Sequence, residues 1–218
     1  MAVIQIGKIP DKPVETQCKK PKGIFGRFVL WKMNKSHSRL TDWGLTHVTV
    51  EPRFVVLDVG CGGGRTISKL AAMAGDGKVC GIDYSEESVT ASKRYNSQAI
   101  RAGSVEIHQA DIAQLPFPDN TFDLVTGVET HFWWPDITVG VSEIRRVLKA
   151  GGTLILIAEV YKGANTTVAR LCEKYAPITG IKMLTADEHR ELLASTGFGN
   201  IKVDTVAEKG WISTQATK

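Results

Sequence analysis

Between Phe54 and Arg65 a nearly continuous apolar run, broken only at Asp58, passes straight into Gly60-Cys61-Gly62-Gly63-Gly64. Phe54–Val59 is short and apolar on alternate positions of both parities, which reads as a strand buried on both faces, as in a parallel sheet. The glycines let the backbone turn tightly and approach a ligand closely. A helix is expected over Thr66–Ala74, stopped by Gly75-Asp76-Gly77. Strand, glycine loop and helix in this order point to an open α/β sheet, where ligands bind at the carboxyl ends of the strands. Asp58, just ahead of the glycines, would repel a pyrophosphate and suits a ligand that carries an ammonium group. The dinucleotide fingerprint needs a glycine at position 65, which is Arg65, and the chain has no Tyr-x-x-x-Lys. Both points weigh against a nicotinamide dehydrogenase.

The rest of the chain repeats the alternation. Strands are expected at Lys78–Asp83, Val105–Gln109, Phe122–Val128 and Thr153–Glu159, and helices at Glu86–Ala102, Asp136–Lys149, Asn165–Tyr175 and Ala186–Ser195. Ser85 is the expected N-cap of the helix that starts at Glu86. Ile201–Val206 and Trp211–Thr214 are joined by Glu208-Lys209-Gly210, too short for a helical crossover, so they must form an antiparallel hairpin. Alternating strands and helices mean a parallel sheet with helices on both faces.

Ahead of this body, Pro10, Pro13, Pro21 and many lysines mark residues 1–23 as a basic leader. Phe25, Phe28, Val29, Met33, Leu40 and Trp43 recur at helical spacing, so residues 24–50 read as an amphipathic helical segment, broken near Asn34–Ser36 and stopped at Gly44. Charge divides the same way: the chain is +4, with +6 on residues 1–53 and −2 on the remainder. The basicity therefore belongs to the N-terminal segment. It would suit an acidic or nucleic-acid partner, but no aromatics interleave with Lys19-Lys20-Pro21-Lys22, and a solvated leader is the simpler reading. No apolar run reaches the roughly 18 residues of a membrane span. The first residues lack a signal-peptide pattern, so a cytoplasmic protein is expected. Cys18, Cys61, Cys80 and Cys172 form no CxxC pair, and Cys61 and Cys80 sit where small buried thiols are common.

Acids follow each of the first three strands. Asp83, in Gly81-Ile82-Asp83-Tyr84-Ser85, is placed to accept both hydroxyls of a ribose or to cap the next helix. Asp111 could accept an adenine amine with Ile112 against the ring, or simply make a surface turn. Three carboxylates after three successive strands are hard to assign to chance.

These segments, with Ala110-Asp111-Ile112-Ala113-Gln114-Leu115-Pro116 through Val125 and Arg146-Val147-Leu148-Lys149-Ala150-Gly151-Gly152, resemble the class I SAM-dependent methyltransferases, most closely the small-molecule group that includes ubiquinone and sterol methyltransferases. The resemblance covers residues 54–160 well and 185–216 in outline. It implies a Rossmann-like α/β fold: a seven-stranded, mainly parallel sheet in the order 3-2-1-4-5-7-6, with strand 7 antiparallel, helices on both faces and an N-terminal helical cap. Residues 51–218 would then be the SAM-binding domain, with 1–23 as leader and 24–50 as cap.

By motif match, Asp58 and the loop Gly60, Cys61, Gly62 and Gly64 would hold the amino-acid part of S-adenosylmethionine, Asp83 and Tyr84 the ribose end, and Asp111 and Ile112 the adenine. Val128 and Glu129 would line the methionine end. The implied reaction moves a methyl group to O, N, S or C of a small molecule by in-line displacement, leaving S-adenosylhomocysteine; a protein or RNA acceptor, or a binding module without catalysis, are the alternatives. The loop after strand 4 would face the transferred methyl group. There His131 is a candidate base or positioning residue, and Phe132, Trp133 and Trp134 are candidate pocket walls, one tryptophan being as well explained by helix packing. His37, Trp43 and Tyr161 are further candidates for the site. No sequence cluster of carboxylates suggests a metal site, and no Asn/Asp-Pro-Pro-Tyr motif follows strand 4, which counts against nucleic-acid bases as acceptors.

Overall fold

The computed structural model describes residues 37–218. The expected leader over 1–23 and the expected helix over 24–36 lie outside the described residues. The first described helix, α1 (Ser38–Leu45), is followed by β1 (Val55–Val59), α2 (Arg65–Met73), β2 (Lys78–Asp83), α3 (Glu86–Tyr95), α4 (Ser97–Arg101), β3 (Val105–Gln109) and β4 (Phe122–Val128). Then come a short 3-10 turn (His131–Trp133), α5 (Ile137–Val147), β5 (Leu148–Ala158), α6 (Thr167–Thr179), α7 (Ala186–Ser195), β6 (Gly199–Val206) and β7 (Trp211–Thr217). The seven strands form one sheet in the order β3-β2-β1-β4-β5-β7-β6. β1 pairs in parallel with β2 and β4, and β7 runs antiparallel between β5 and β6. This is the architecture the sequence implied.

Side-chain alternation along the strands builds two cores, one on each face of the sheet. Leu57, Val59, Leu154 and Leu156 point to the face covered by α5 and α7, where Val141, Ile144, Val147 and Leu193 meet them. Val56, Leu124, Ile155 and Ile157 point to the other face, covered by Ile67 and Leu70 of α2, Val89 of α3 and Leu40 of α1. Double coverage is why the central strands read as apolar runs rather than as alternating ones.

Several expected boundaries are corrected. The helix expected over Glu86–Ala102 is two, because Asn96 is buried and its side-chain amide donates to the carbonyls of Gly64 (2.9 Å) and Ser92 (3.0 Å) instead of facing solvent. The helix expected to reach Lys149 ends at Val147, since Leu148 already pairs with Phe122; the register then shifts before Leu124 meets Thr153, so the glycines at 151–152 lie inside β5. Gly44 does not stop α1, which continues to Leu45. It is a contact glycine: a Cβ there would stand 2.2 Å from Cδ1 of Ile157, so its absence lets α1 lie close on the sheet. α6 runs on to Thr179, and β6 and β7 are longer than the sequence suggested. Among the described residues no helix is long and apolar enough to cross a membrane.

Candidate functional site

The glycine loop is lashed to the end of β2. The backbone N–H groups of Gly60 and Cys61 both donate to the Ile82 carbonyl (2.8 and 2.9 Å), and Gly62 N–H donates to Asp83 Oδ2 (2.8 Å). Two of the glycines are dictated by the geometry. Gly60 has φ +70 and a Cβ there would lie 2.1 Å from Thr130 Oγ1; Gly64, at φ +81, opens α2 with Ser92 Cα 2.8 Å from where its Cβ would be. The loop is therefore a backbone cradle between β1, β2 and the segment after β4.

Two carboxylates border it. Asp58 is buried and accepts from Thr126 Oγ1 (2.6 Å). Burial pushes its pKa up to about 7, assisted by the charge of Asp83 and opposed by the Thr126 hydroxyl. Asp83 is half-buried and accepts from Gly62 N–H and, through Oδ1, from Ser85 N–H (2.9 Å). Burial raises its pKa, against those backbone donors. The cap of α3 is Ser85, whose hydroxyl accepts from Ser88 N–H (3.3 Å), while Asp83 also takes a hydrogen bond from the Ser88 side chain.

The other expected cofactor residues are placed differently from one another. Tyr84 is 57% exposed beside Asp83. Asp111 is exposed and closes a local turn on Ala113 N–H (2.9 Å), while Ile112 is buried in the core with Trp134. Cys61 turns its thiol inward to Ser92 Oγ (3.6 Å), and burial holds that thiol well above its ordinary pKa. Its contribution to the cradle is its backbone. Val128 is half-buried and leads into Glu129.

Glu129 sits in left-handed backbone at φ +57, with its N–H donating to the Ile157 carbonyl (2.9 Å). Its carboxylate accepts from the backbone N–H of Glu159, the first residue past β5. His37, at the start of α1, brings Nε2 to 3.6 Å from Glu159 Oε1. One ligand-type atom of each of His37, Glu129 and Glu159 lies within 4.8 Å of the others. Burial pushes the Glu129 pKa up to about 7, with His37 opposing and Glu159 reinforcing. The His37 bond holds Glu159 below its ordinary value; the two glutamates raise His37 against a burial effect that lowers it. Sequence reasoning missed Glu159. Its signal was topological: it follows the strand that lies next to β4.

The loop after β4 is held by histidines. His131 is buried, with Nε2 3.1 Å from Nε2 of His189 on α7, and His189 Nδ1 lies 2.7 Å from the Thr185 carbonyl. A carbonyl only accepts, so His189 carries its proton on Nδ1 and accepts at Nε2; His131 then donates from Nε2 and keeps a lone pair on Nδ1. That Nδ1 is buried and has no partner among the described residues. Burial lowers the pKa of both rings, so both are neutral. His189 is a second residue the sequence did not single out.

The aromatic residues divide. Trp134 is 5% exposed, bonds Thr130 Oγ1 through Nε1 (3.2 Å) and packs in the main core, so it is the tryptophan spent on packing. Phe132, with the half-buried Trp133 and Tyr161, packs on Ala158 and Ile212 beside the end of β5. Trp43 meets His47 edge-on (4.8 Å between ring centres) and Trp211 at a tilt (5.7 Å), at the β7 side of the sheet.

Residues 57–156 match the family model described as a methyltransferase domain. The O-methyltransferase cnsE of Penicillium expansum is 31% identical over 153 residues, 70% of this chain and 55% of the relative. Cycloartenol-C-24-methyltransferase 1 of Oryza sativa subsp. japonica is 35% identical over 126 residues, 56% of this chain and 36% of the relative. The chain thus spans about half or less of these curated relatives. Among solved structures, a SAM-dependent methyltransferase from Aquifex aeolicus superposes with a TM-score of 0.71 at 22% identity, covering 88% of this chain and 97% of that one. Residues 57–156 are thus similar to a methyltransferase domain, and the strand order and superposition give the chain the fold of a SAM-dependent methyltransferase.

Proposed function

We propose that this chain transfers a methyl group from S-adenosylmethionine to a small-molecule acceptor. The observation that carries the reading is the cradle: a backbone loop with no room for a Cβ at Gly60 or Gly64, bordered by the acceptor-only carboxylates Asp58 and Asp83. Those acceptors fit an ammonium group and a pair of hydroxyls and suit no phosphate. Asp58, beside the close-approaching glycine loop, takes the amino-acid end through its ammonium, and Asp83, with Tyr84 beside it, the ribose. Asp111 takes the adenine amine, with Ile112 supporting the turn from the core. When bound, S-adenosylmethionine supplies a methyl group already activated on a sulfonium, so the protein mainly positions the acceptor and excludes water.

Phe132, Trp133 and Tyr161 offer an apolar wall for the acceptor at the ends of β4 and β5. His131 takes the positioning half of its expected role: its bond to His189 pins the loop after β4 to α7, and its free lone pair is closed off from solvent. The relatives' names include O- and C-methyltransferases, which supports a small acceptor without choosing its atom.

The test is incubation with methyl-labelled S-adenosylmethionine and extract of the source cells, followed by separation of small molecules from macromolecules. Label in the small-molecule fraction is the expected result. Label in protein or RNA overturns the acceptor class and gives the basic residues 1–53 a substrate-binding role. Cofactor binding with no transfer to either fraction reduces the chain to a binding module.

A further inference from the structure

The cluster of His37, Glu129 and Glu159 has a chemistry that methyl transfer alone does not require. Its three side chains come from the start of α1, the end of β4 and the end of β5, and are far apart in sequence. All three are only partly exposed, and one ligand-type atom from each lies within 4.8 Å of the others. Two carboxylates face one imidazole. Among the described residues no lysine or arginine acts on either glutamate; His37 acts on both, and Glu159 on Glu129. One oxygen of Glu129 is engaged by the Glu159 N–H, and no described residue donates to its second oxygen.

We propose that His37, Glu129 and Glu159 form a site for a divalent first-row transition-metal ion. One imidazole nitrogen and two carboxylate oxygens suit Mn²⁺, Fe²⁺ or Zn²⁺, and three protein ligands leave positions open for water or another ligand. An ion about 2.1 Å from each donor holds adjacent donors about 3–4 Å apart. The His37–Glu159 pair, at 3.6 Å, already meets that spacing, and Glu129 closes on it by a side-chain adjustment. The ion neutralises the excess carboxylate charge and ties the start of α1 to the strand ends. Glu129 is followed in the chain by Thr130, whose side chain lies against the glycine cradle at Gly60.

The site is tested without any acceptor. The full chain is stripped with a chelator and dialysed to equilibrium against Mn²⁺ and, separately, Zn²⁺, with melting followed in parallel. The expected result is one ion per chain, bound at least tenfold more weakly by Glu159→Gln and by His37→Ala. The ion should raise Tm of the wild type more than that of either variant, since a ligand bound only to the folded chain stabilises it. Affinity of Glu159→Gln for S-adenosylmethionine, measured on the same preparation, should stay within about twofold of the wild type, because that side chain lies outside the cradle. No saturable ion, or equal binding by wild type and folded variants, overturns the proposal and leaves an ion-pair cluster. Loss of S-adenosylmethionine binding by the wild type would instead count against the proposed function; the metal stoichiometry is read independently of it.

Discussion

At the scale of single residues, the cradle depends on acids held where water is scarce. Asp83 both fixes the glycine loop, through Gly62 N–H, and is assigned the ribose. Asp83→Ala should therefore weaken S-adenosylmethionine binding by about 1–3 kcal/mol, the range for losing hydrogen bonds to a charged group. Calorimetric titration showing unchanged affinity would mean the ribose lies elsewhere. Asp58 adds a pH dependence. Its folded pKa, about 7, stands above its ordinary value of 3.8, so between those values the folded chain holds the extra proton. Its contribution to stability without cofactor is therefore fully present below pH 3.8 and is lost as pH rises towards 7. Cofactor binding goes the other way, because an ammonium needs the carboxylate: affinity should fall as pH drops below 7, by up to about tenfold per unit. Thr126→Val, which removes the hydroxyl donor, should move that fall to higher pH. A flat affinity between pH 5.5 and 8 would show that Asp58 does not meet the ammonium. In the same series, a limb of the turnover profile abolished only by His131→Ala would restore that ring as a base.

At the scale of elements, much was legible because a strand buried on both faces has an unmistakable composition. β2, β3, β4 and α7 begin and end where the sequence placed them, since Gly, Asp or a capping Ser or Thr bounds each apolar run. What could not be read depends on partners distant in the chain. Asn96 splits a helix because Gly64, 32 positions earlier, offers it a carbonyl. His131 finds His189 at a separation of 58, and Glu159 finds Glu129 and His37 only once β5 lies beside β4. Gly44 was misread for the same reason, as a helix stop rather than a contact with Ile157. Gly44→Ala tests the contact: the added methyl has no room, and overpacking of this kind costs about 1–3 kcal/mol. Chemical denaturation should show a lower midpoint with an unchanged slope. A neutral or stabilising effect, as expected for Gly→Ala in an open helix, would mean α1 does not press on β5.

At the scale of the whole molecule, stability is distributed from the centre of the sheet outwards. β1, β4 and β5 carry Val56, Leu57, Leu124, Val125, Leu154 and Ile155, all at 0% exposure, while β6 is mostly exposed at one edge. Amide hydrogen exchange should accordingly be slowest in β4 and β5, reaching the limit set by global unfolding, and markedly faster in β6 and α4. Uniform protection across all seven strands would contradict this gradient. The insertion of β7 between β5 and β6 also has a consequence for how the chain is made. β5 has no neighbour on one side until residues 159–210 have been synthesised and the returning strand slots in. Through that interval a nascent chain carries an unpaired and very apolar ribbon, the kind of edge on which chains stick to one another. The speed with which the β6–β7 hairpin docks therefore sets how long that ribbon stays open to self-association, a race that the finished fold no longer displays.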